Sequence, residues 1–301
     1  HLNIHSLQHG AMTAQMLSKI EEILLIEKPD AVVVYGDTNS TLSGTLAAKK
    51  LHLKVIHIEA GLRSFNMKMP EEINRIITDR LSDLLLCPTD AAIANLNAEG
   101  FQNFPTKVVK TGDIMKDAVT FYSEKSAEKS TIMRNLGLES DHFVLATIHR
   151  QENTDNLVNL YSIFKGLETI AHESKVILPI HPRTRKILEK NQTHFNITFI
   201  DPVGYFDMLS LLKYCKLVIT DSGGLQKEAY FNQKFCIIVR EETEWIELVE
   251  NGLAKIVGSD SLKLVEAFNF FKQNKFNSAT ELYGNNVGEQ IYTEIKSLLD
   301  S

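Results

Sequence analysis

Cysteine is scarce here: Cys87, Cys215 and Cys236 are the three thiols, and none stands in a CxxC pair or at Cys/His zinc-ligand spacing. A disulfide framework and a structural zinc are therefore not expected, and a reducing, cytoplasmic setting fits. Excess positive charge is also missing. Lys and Arg number 32 against 38 Asp and Glu, a net charge of −6, which argues against a nucleic-acid surface and a basic membrane-docking face. No apolar run approaches a bilayer span; ILLI (23–26) and LLLC (84–87) are the size of core elements. Neither a GxGxxG fingerprint nor a GxxxxGK[ST] loop occurs, so NAD and ATP are not indicated. The histidines lack ligand spacing and the carboxylates sit beside arginines, so a bound metal is not expected. Internal repeats and low-complexity tracts are likewise missing.

What remains is an ordinary globular composition, 44% hydrophobic and 23% charged, in 301 residues, enough for two domains. Short apolar runs alternate with helical patterns. Met12, Met16, Ile20, Ile23 and Leu24 mark one face of a first helix that Pro29 ends. Strands are expected at AVVVY (31–35), VIHI (55–58), LLLC (84–87) and KVVK (107–110), with helices from Pro70 and Thr89. After the polar stretch SEKSAEKS (123–130) a second series follows: FVLATI (143–148), VILPI (176–180), ITFI (197–200), LVIT (217–220) and FCIIV (235–239). Continuous apolar strands alternating with helices predict parallel sheets covered on both faces, hence an α/β fold of two doubly wound domains. A last helix is expected from about Val287.

In open α/β sheets ligands sit outside the carboxyl ends of the strands, so residues that follow strands are the candidates. They are Asp37 after AVVVY, Glu59 after VIHI, His149 after FVLATI, His181 after VILPI, and Asp221-Ser222-Gly223-Gly224 after LVIT. Asp37 either caps the next helix or carries chemistry. Glu71 and Glu72 behind Pro70, taken alone, fit a plain helix start better than they fit chemistry. His149 and His181 suit a structural role as well as a functional one. Glu59 ends an apolar strand with no helix at once to cap. DSGGLQKEA (221–229) is more specific: a strand runs through two glycines into a helix, opening N–H groups to a diphosphate, with Glu228 placed for ribose hydroxyls.

Read in order, GDTNSTL (36–42), HIEAGLR (57–63), PEEINR (70–75), CPT (87–89), TGD (111–113), HRQEN (149–153), HPR (181–183), DSGGLQKEA and REETEW (240–245) resemble the non-hydrolysing UDP-N-acetylglucosamine 2-epimerases. The match covers the whole chain. It implies the GT-B architecture: two Rossmann-like domains with the active site in the cleft between them. Residues 1–113 with helix 286–301 would form the first domain and 114–285 the UDP-binding second. It also implies a cofactor-free isomerase for cell-surface polysaccharide synthesis that interconverts UDP-N-acetylglucosamine and UDP-N-acetylmannosamine through UDP and 2-acetamidoglucal. Catalytic roles would fall to Asp37, Glu59, Glu71 and His149. Arg75, His181, Tyr205, Phe206, Ser222, Gly223, Gly224, Glu228 and Arg240 would bind substrate, while Arg63 and Arg75 would ease repulsion among the carboxylates.

The resemblance further implies a UDP-amino sugar as partner, a homodimer, and no nucleic-acid or membrane partner. Gln8 and His9 fall where some bacterial members place an allosteric site. The family's opening Gly-Thr-Arg-Pro-Glu loop does not occur, so a strand–helix unit on the order of 30 residues is expected before His1, and the chain as given is expected to be inactive alone. REETEWIEL and the spacing of LRSFNMKMPEEINR are nearer the branch that epimerises UDP-2,3-diacetamido-2,3-dideoxyglucuronate for O-antigen. Two rivals share the fold: a GT-B glycosyltransferase, which needs an acceptor surface, and a UDP-sugar sensor, which has no use for the three carboxylates.

Overall fold

Every apolar run read as a strand forms one, within a residue or two of its expected bounds. The computed structural model describes residues 1–5, 7–190, 194–277 and 281–300. The chain divides into two compact units, His1–Asp117 with Leu282–Ser301, and Ala118–Glu281.

The first unit alternates α1 (His9–Glu27), β1 (Ala31–Tyr35), α2 (Asn39–Lys50), β2 (Lys54–Ile58), α3 (Pro70–Leu81), β3 (Leu84–Cys87), α4 (Asp90–Ala98) and β4 (Lys107–Lys110). Its sheet is parallel, in the order β1-β2-β3-β4. Alternate side chains of β2 serve opposite faces. Ile56 and Ile58 join Leu84, Leu86 and the C-terminal helix Val287–Leu299 through Val287 and Ile291. Val55 joins Val34, Ala47, Ala48 and Leu24 on the other. The first helix departs from its expected face. Leu17, Ile20 and Leu24 carry the stripe that packs inward, while Ile23 is 44% exposed, because it lies about 100° round from Leu24. Lys28 ends α1 in the left-handed region, its N–H on Leu24 O, and Pro29 follows. Gly112 of the TGD stretch needs its glycine: φ is +92°, and a Cβ there would meet Tyr283 O at 2.3 Å.

The second unit is built from most of α5 (Ile114–Lys129), then α6 (Ile132–Asn135), β5 (Phe143–Thr147), α7 (Gln151–Thr154), α8 (Leu157–Ala171), β6 (Lys175–Pro179) and α9 (Pro182–Lys190). It continues through β7 (Thr198–Ile200), α10 (Tyr205–Tyr214), β8 (Leu217–Thr220), α11 (Gly223–Phe231), β9 (Cys236–Ile238), α12 (Ile246–Glu250), β10 (Ala254–Ile256) and α13 (Ser261–Gln273). SEKSAEKS falls largely inside α5, where buried Ser126 donates to Phe206 O at 2.6 Å. β10 was not expected, because three residues with an exposed Lys255 at the centre leave no apolar run.

The six parallel strands run β10-β9-β8-β5-β6-β7. From β5 the chain steps outward to β6 and β7, then returns to β8 on the other side of β5. The order therefore reverses between β5 and β8, where Thr147 and Thr220 pair in register and their hydroxyls meet at 2.6 Å. Ligands of such sheets bind outside the carboxyl ends at this point. All three cysteines are buried and free. No described helix is long and apolar enough to cross a membrane.

Candidate active site

In the first unit, Thr38 rather than Asp37 caps α2. Its hydroxyl accepts from Thr41 N at 3.4 Å, and Thr41 Oγ1 accepts from Thr38 N at 3.2 Å. The helix-cap reading of Asp37 is thereby corrected, and its carboxylate pairs instead with the buried Arg75. Arg75 gives its other arm to Glu72 at 2.9 Å. Pro70 with Glu71 and Glu72 behind it does open α3, but Glu72 is also buried, so its carboxylate does more than sit at a helix start. The Glu71 side chain, half-buried one residue earlier, makes no hydrogen bond or ion pair with another described residue.

Glu59 follows β2 with φ at +72°, a conformation that L-residues with side chains rarely adopt. Its Oε2 stands 3.2 Å from where a Cβ on Gly36 would be, beside the turn that carries Asp37. Asp37, Glu59 and Arg75 thus gather at the carboxyl ends of β1 and β2, with Glu71 on the first turn of α3.

Arg63 does not join them. It donates to Glu99 at 2.6 and 2.8 Å and to Asp79 at 2.7 Å, so its expected role among Glu59, Glu71 and Glu72 is corrected. Burial works against its charge, yet Glu99 and Asp79 hold the guanidinium well above its ordinary pKa. Asp79 also accepts from Gly61 N at 3.1 Å and faces His57 Nδ1 at 2.7 Å; His57 Nε2 donates to Gly36 O at 2.8 Å. Gly61 has φ of +80°, and a Cβ there would meet Ala92 O at 2.7 Å. In HIEAGLR, then, His57, Gly61 and Arg63 build the frame on which Glu59 stands.

In the second unit a cavity of about 250 Å³ opens at the carboxyl ends of β5, β6 and β8, lined among others by Thr147, His149, His181, Ser222 and Leu225. This is the place the strand order marks out. Ser222 caps α11, accepting from Leu225 N at 3.5 Å. A Cβ on Gly224 would meet nothing within 4 Å, and one on Gly223 only Trp245 Nε1 and Glu244 Oε2, at 3.6 and 3.7 Å. The positive end of a nine-residue helix is therefore open at the backbone.

Asp221 is fully buried and organises this corner. It accepts from His149 N at 3.0 and 3.1 Å, Arg150 N at 3.0 Å and Asn153 Nδ2 at 3.1 Å, and its Oδ1 stands 3.2 Å from His149 Nδ1. The sequence offered Asp221 at a strand end, but no role was drawn for it beside Ser222 and the glycines.

Arg240 is buried and forks onto Glu244 at 3.0 and 3.1 Å, with Glu152 3.6 Å away. Its guanidinium is thus spent largely within the protein. Tyr205 and Phe206 open α10, and Phe206 O is occupied by Ser126. Burial pushes the Glu228 carboxyl up to about 7, with Lys227 opposing. The Tyr205 hydroxyl is pushed up to about 12 by burial and then by the Glu228 charge, so the two side chains share one environment. Among the described residues no group of three or more His, Cys, Asp and Glu is placed to hold a metal ion.

The family model described as UDP-N-acetylglucosamine 2-epimerase matches residues 1–296. The UDP-2,3-diacetamido-2,3-dideoxy-D-glucuronate 2-epimerase of Pseudomonas aeruginosa is 49% identical over 285 residues, covering 94% of this chain and 79% of that protein. The crystal structure of Methanocaldococcus jannaschii UDP-GlcNAc 2-epimerase in complex with UDP-GlcNAc and UDP superposes with a TM-score of 0.88 at 40% identity, covering 98% of this chain and 83% of that one. The S. aureus MnaA-UDP co-structure gives 0.86 at 31% identity, over 98% and 81% of the two chains.

Proposed function

This chain belongs to the UDP-N-acetylglucosamine 2-epimerase family, and from that premise we propose that it inverts C2 of a UDP-2-acetamido sugar, interconverting UDP-N-acetylglucosamine and UDP-N-acetylmannosamine. The observation that carries this reading is the acid cluster at the ends of β1 and β2. Glu59 is kept in the left-handed region, with its carboxylate beside the turn of Asp37, which is itself paired to buried Arg75. Neither a glycosyltransferase nor a sensor has a need for that arrangement.

The chemistry follows from these groups. A carboxylate takes the proton at C2, the C–H pair becomes a C1=C2 double bond, and the C1–O pair departs with UDP. On return a UDP oxygen re-forms the bond to C1 while a carboxyl on the opposite face delivers a proton to C2. Asp37, Glu59 and Glu71 serve these transfers. The leaving diphosphate gathers negative charge, which the open N-terminus of α11 at Ser222, Gly223 and Gly224 and the side chain of His149 are suited to hold. Glu228 accepts from ribose hydroxyls, and His181 lines the cavity that His149 and Ser222 share. Cytoplasmic location, a homodimer and supply of cell-surface polysaccharide synthesis belong to the same proposal. A second reading, UDP-2,3-diacetamido-2,3-dideoxyglucuronate as substrate, is favoured by the relative at 49% identity.

Incubation of the complete protein with each UDP-sugar in heavy water, without acceptor, tests the proposal. Deuterium at C2 together with the C2 epimer is expected, and the faster substrate separates the two readings. A transferase would give neither product, and a sensor would bind without exchange.

The ribose contact carries its own pH signature. With Glu228 raised to about 7, the charged acceptor forms only as pH rises through that value. UDP-GlcNAc affinity is expected to strengthen up to about tenfold between pH 6 and 8, since a group with pKa 7 is roughly one-tenth ionised at pH 6. In Glu228→Gln the titration of affinity should flatten. Calorimetry across this range decides it, and an equally steep profile in the variant removes Glu228 from the ribose.

A further inference from the structure

Glu72 has the sequence position of an unremarkable first-turn acid, yet it is 1% exposed and does not cap its own helix. Its side chain reaches back over the loop that precedes α3. Oε2 accepts from Ser64 N at 2.9 Å, Ser64 Oγ at 3.0 Å and Arg75 Nη1 at 2.9 Å, while Oε1 accepts from Phe65 N at 3.0 Å. Four donors on one buried carboxylate is the arrangement a buried charge needs. Arg75 then carries the contact onward to Asp37.

The loop it holds is strained and self-braced. Phe65 has φ of +58° although it is neither glycine nor asparagine, and the residue is 76% exposed. No burial of the ring offsets that strain; the capture of the Ser64 and Phe65 amides by Glu72 does. Asn66 N donates to Ser64 Oγ at 3.3 Å, Lys68 N to Asn66 Oδ1 at 3.1 Å and Met69 N to Asn66 O at 2.9 Å. A single carboxylate therefore ties two things together: the exposed loop of residues 64–69, and the arginine that orients Asp37.

We propose that Glu72 is a positioning residue for proton transfer, acting through Arg75 on Asp37 while it holds loop 64–69 in its working shape. This rests on the reading of Asp37 as a proton-transfer group. In Glu72→Gln one acceptor oxygen becomes an amine, which must face either Phe65 N–H or the Arg75 guanidinium, and both are donors. Facing Phe65, the amine releases the strained turn of loop 64–69; facing Arg75, it takes the anchor from the arginine and the fixed partner from Asp37.

The test is C2 exchange in heavy water by the full chain, comparing wild type, Glu72→Gln, Asp37→Asn and the double variant. Glu72→Gln is expected to lower kcat roughly 100-fold, with KM changing less than about threefold, because misplacing a reacting group by about an ångström costs on that order. The double variant should be no slower than Asp37→Asn alone, since both changes remove the same function. Effects that multiply, or a wild-type kcat in Glu72→Gln, would overturn the proposal. Should Glu72→Gln fail to fold, Ser64→Ala carries the test: removing one donor to the same carboxylate should cost roughly three- to tenfold in kcat, and no loss refutes it.

Amide hydrogen exchange provides a readout that needs no turnover. In the Glu72 variant the amides of 64–65 and those of the Asp37 turn, 37–41, should both exchange at least about tenfold faster. Loosening confined to 64–65 breaks the link through Arg75. If wild type exchanges C2 of no UDP-amino sugar, the functional reading fails by itself, and the amide result still decides whether Glu72 positions Asp37.

Discussion

Glu59→Gln is expected to abolish hydrogen exchange at sugar C2, by at least about a thousandfold, while leaving UDP affinity within about twofold. The two effects separate because Glu59 stands on the first unit and the open end of α11 on the second. Glutamine matches glutamate in size and can sit in the same backbone conformation, so the fold should be unchanged. What it cannot do is take and return a proton. The backbone gives an independent check. With φ at +72°, any residue bearing a Cβ is strained here, and glycine is not. Glu59→Gly should therefore be more stable than Glu59→Ala by about 1 kcal/mol, the usual left-handed penalty, with both inactive. A stabilised and inactive Glu59→Gly would mean that strain at this position is kept for chemistry. An active Glu59→Gln would take Glu59 out of the proton-transfer set and leave the epimerase reading without its central group. Unfolding curves and C2 exchange on the same three variants decide both points.

The alternation of apolar runs with helical patterns made the two parallel sheets legible, because buried parallel strands have no polar positions to interrupt them. β10 escaped for the same reason in reverse: Lys255 breaks its only apolar stretch. Candidate residues at strand ends were legible from a topological rule, and His149, His181 and Ser222 do line one cavity at the reversal between β5 and β8. What each side chain touches was not legible. DTNST offers several possible caps in a row, and only backbone geometry assigns the role to Thr38 and frees Asp37. The partner of Arg63, Glu99, lies 36 residues away on the end of α4, beyond any local pattern. Glu71 and Glu72 look interchangeable as letters. Successive helical residues point about 100° apart, so the helix's seating on its sheet buries one and leaves the other half-open.

Asp221 is the residue for which the largest loss of stability is expected. Asp221→Ala removes the acceptor of three donors, His149 N, Arg150 N and Asn153 Nδ2, in a place without solvent. Orphaning buried donors that had a carboxylate partner costs about 3–5 kcal/mol, measurable as a shift in urea midpoint at unchanged slope. His149→Ala is the contrast: the side chain is 51% exposed, so stability should change by less than about 1 kcal/mol, although turnover should fall. Asp221→Asn separates the two functions of the carboxylate. Its remaining oxygen can stay at the Oδ2 position and keep all three donors, which puts the new amine against His149 N–H and Nδ1. That variant should keep most of the stability and lose at least about tenfold in UDP affinity, because the displaced group is the one beside the cavity. If Asp221→Asn binds UDP as wild type does, the carboxylate serves the fold alone. If it loses affinity while holding its midpoint, the same buried acid that closes the turn after β5 also aims the histidine at the leaving diphosphate.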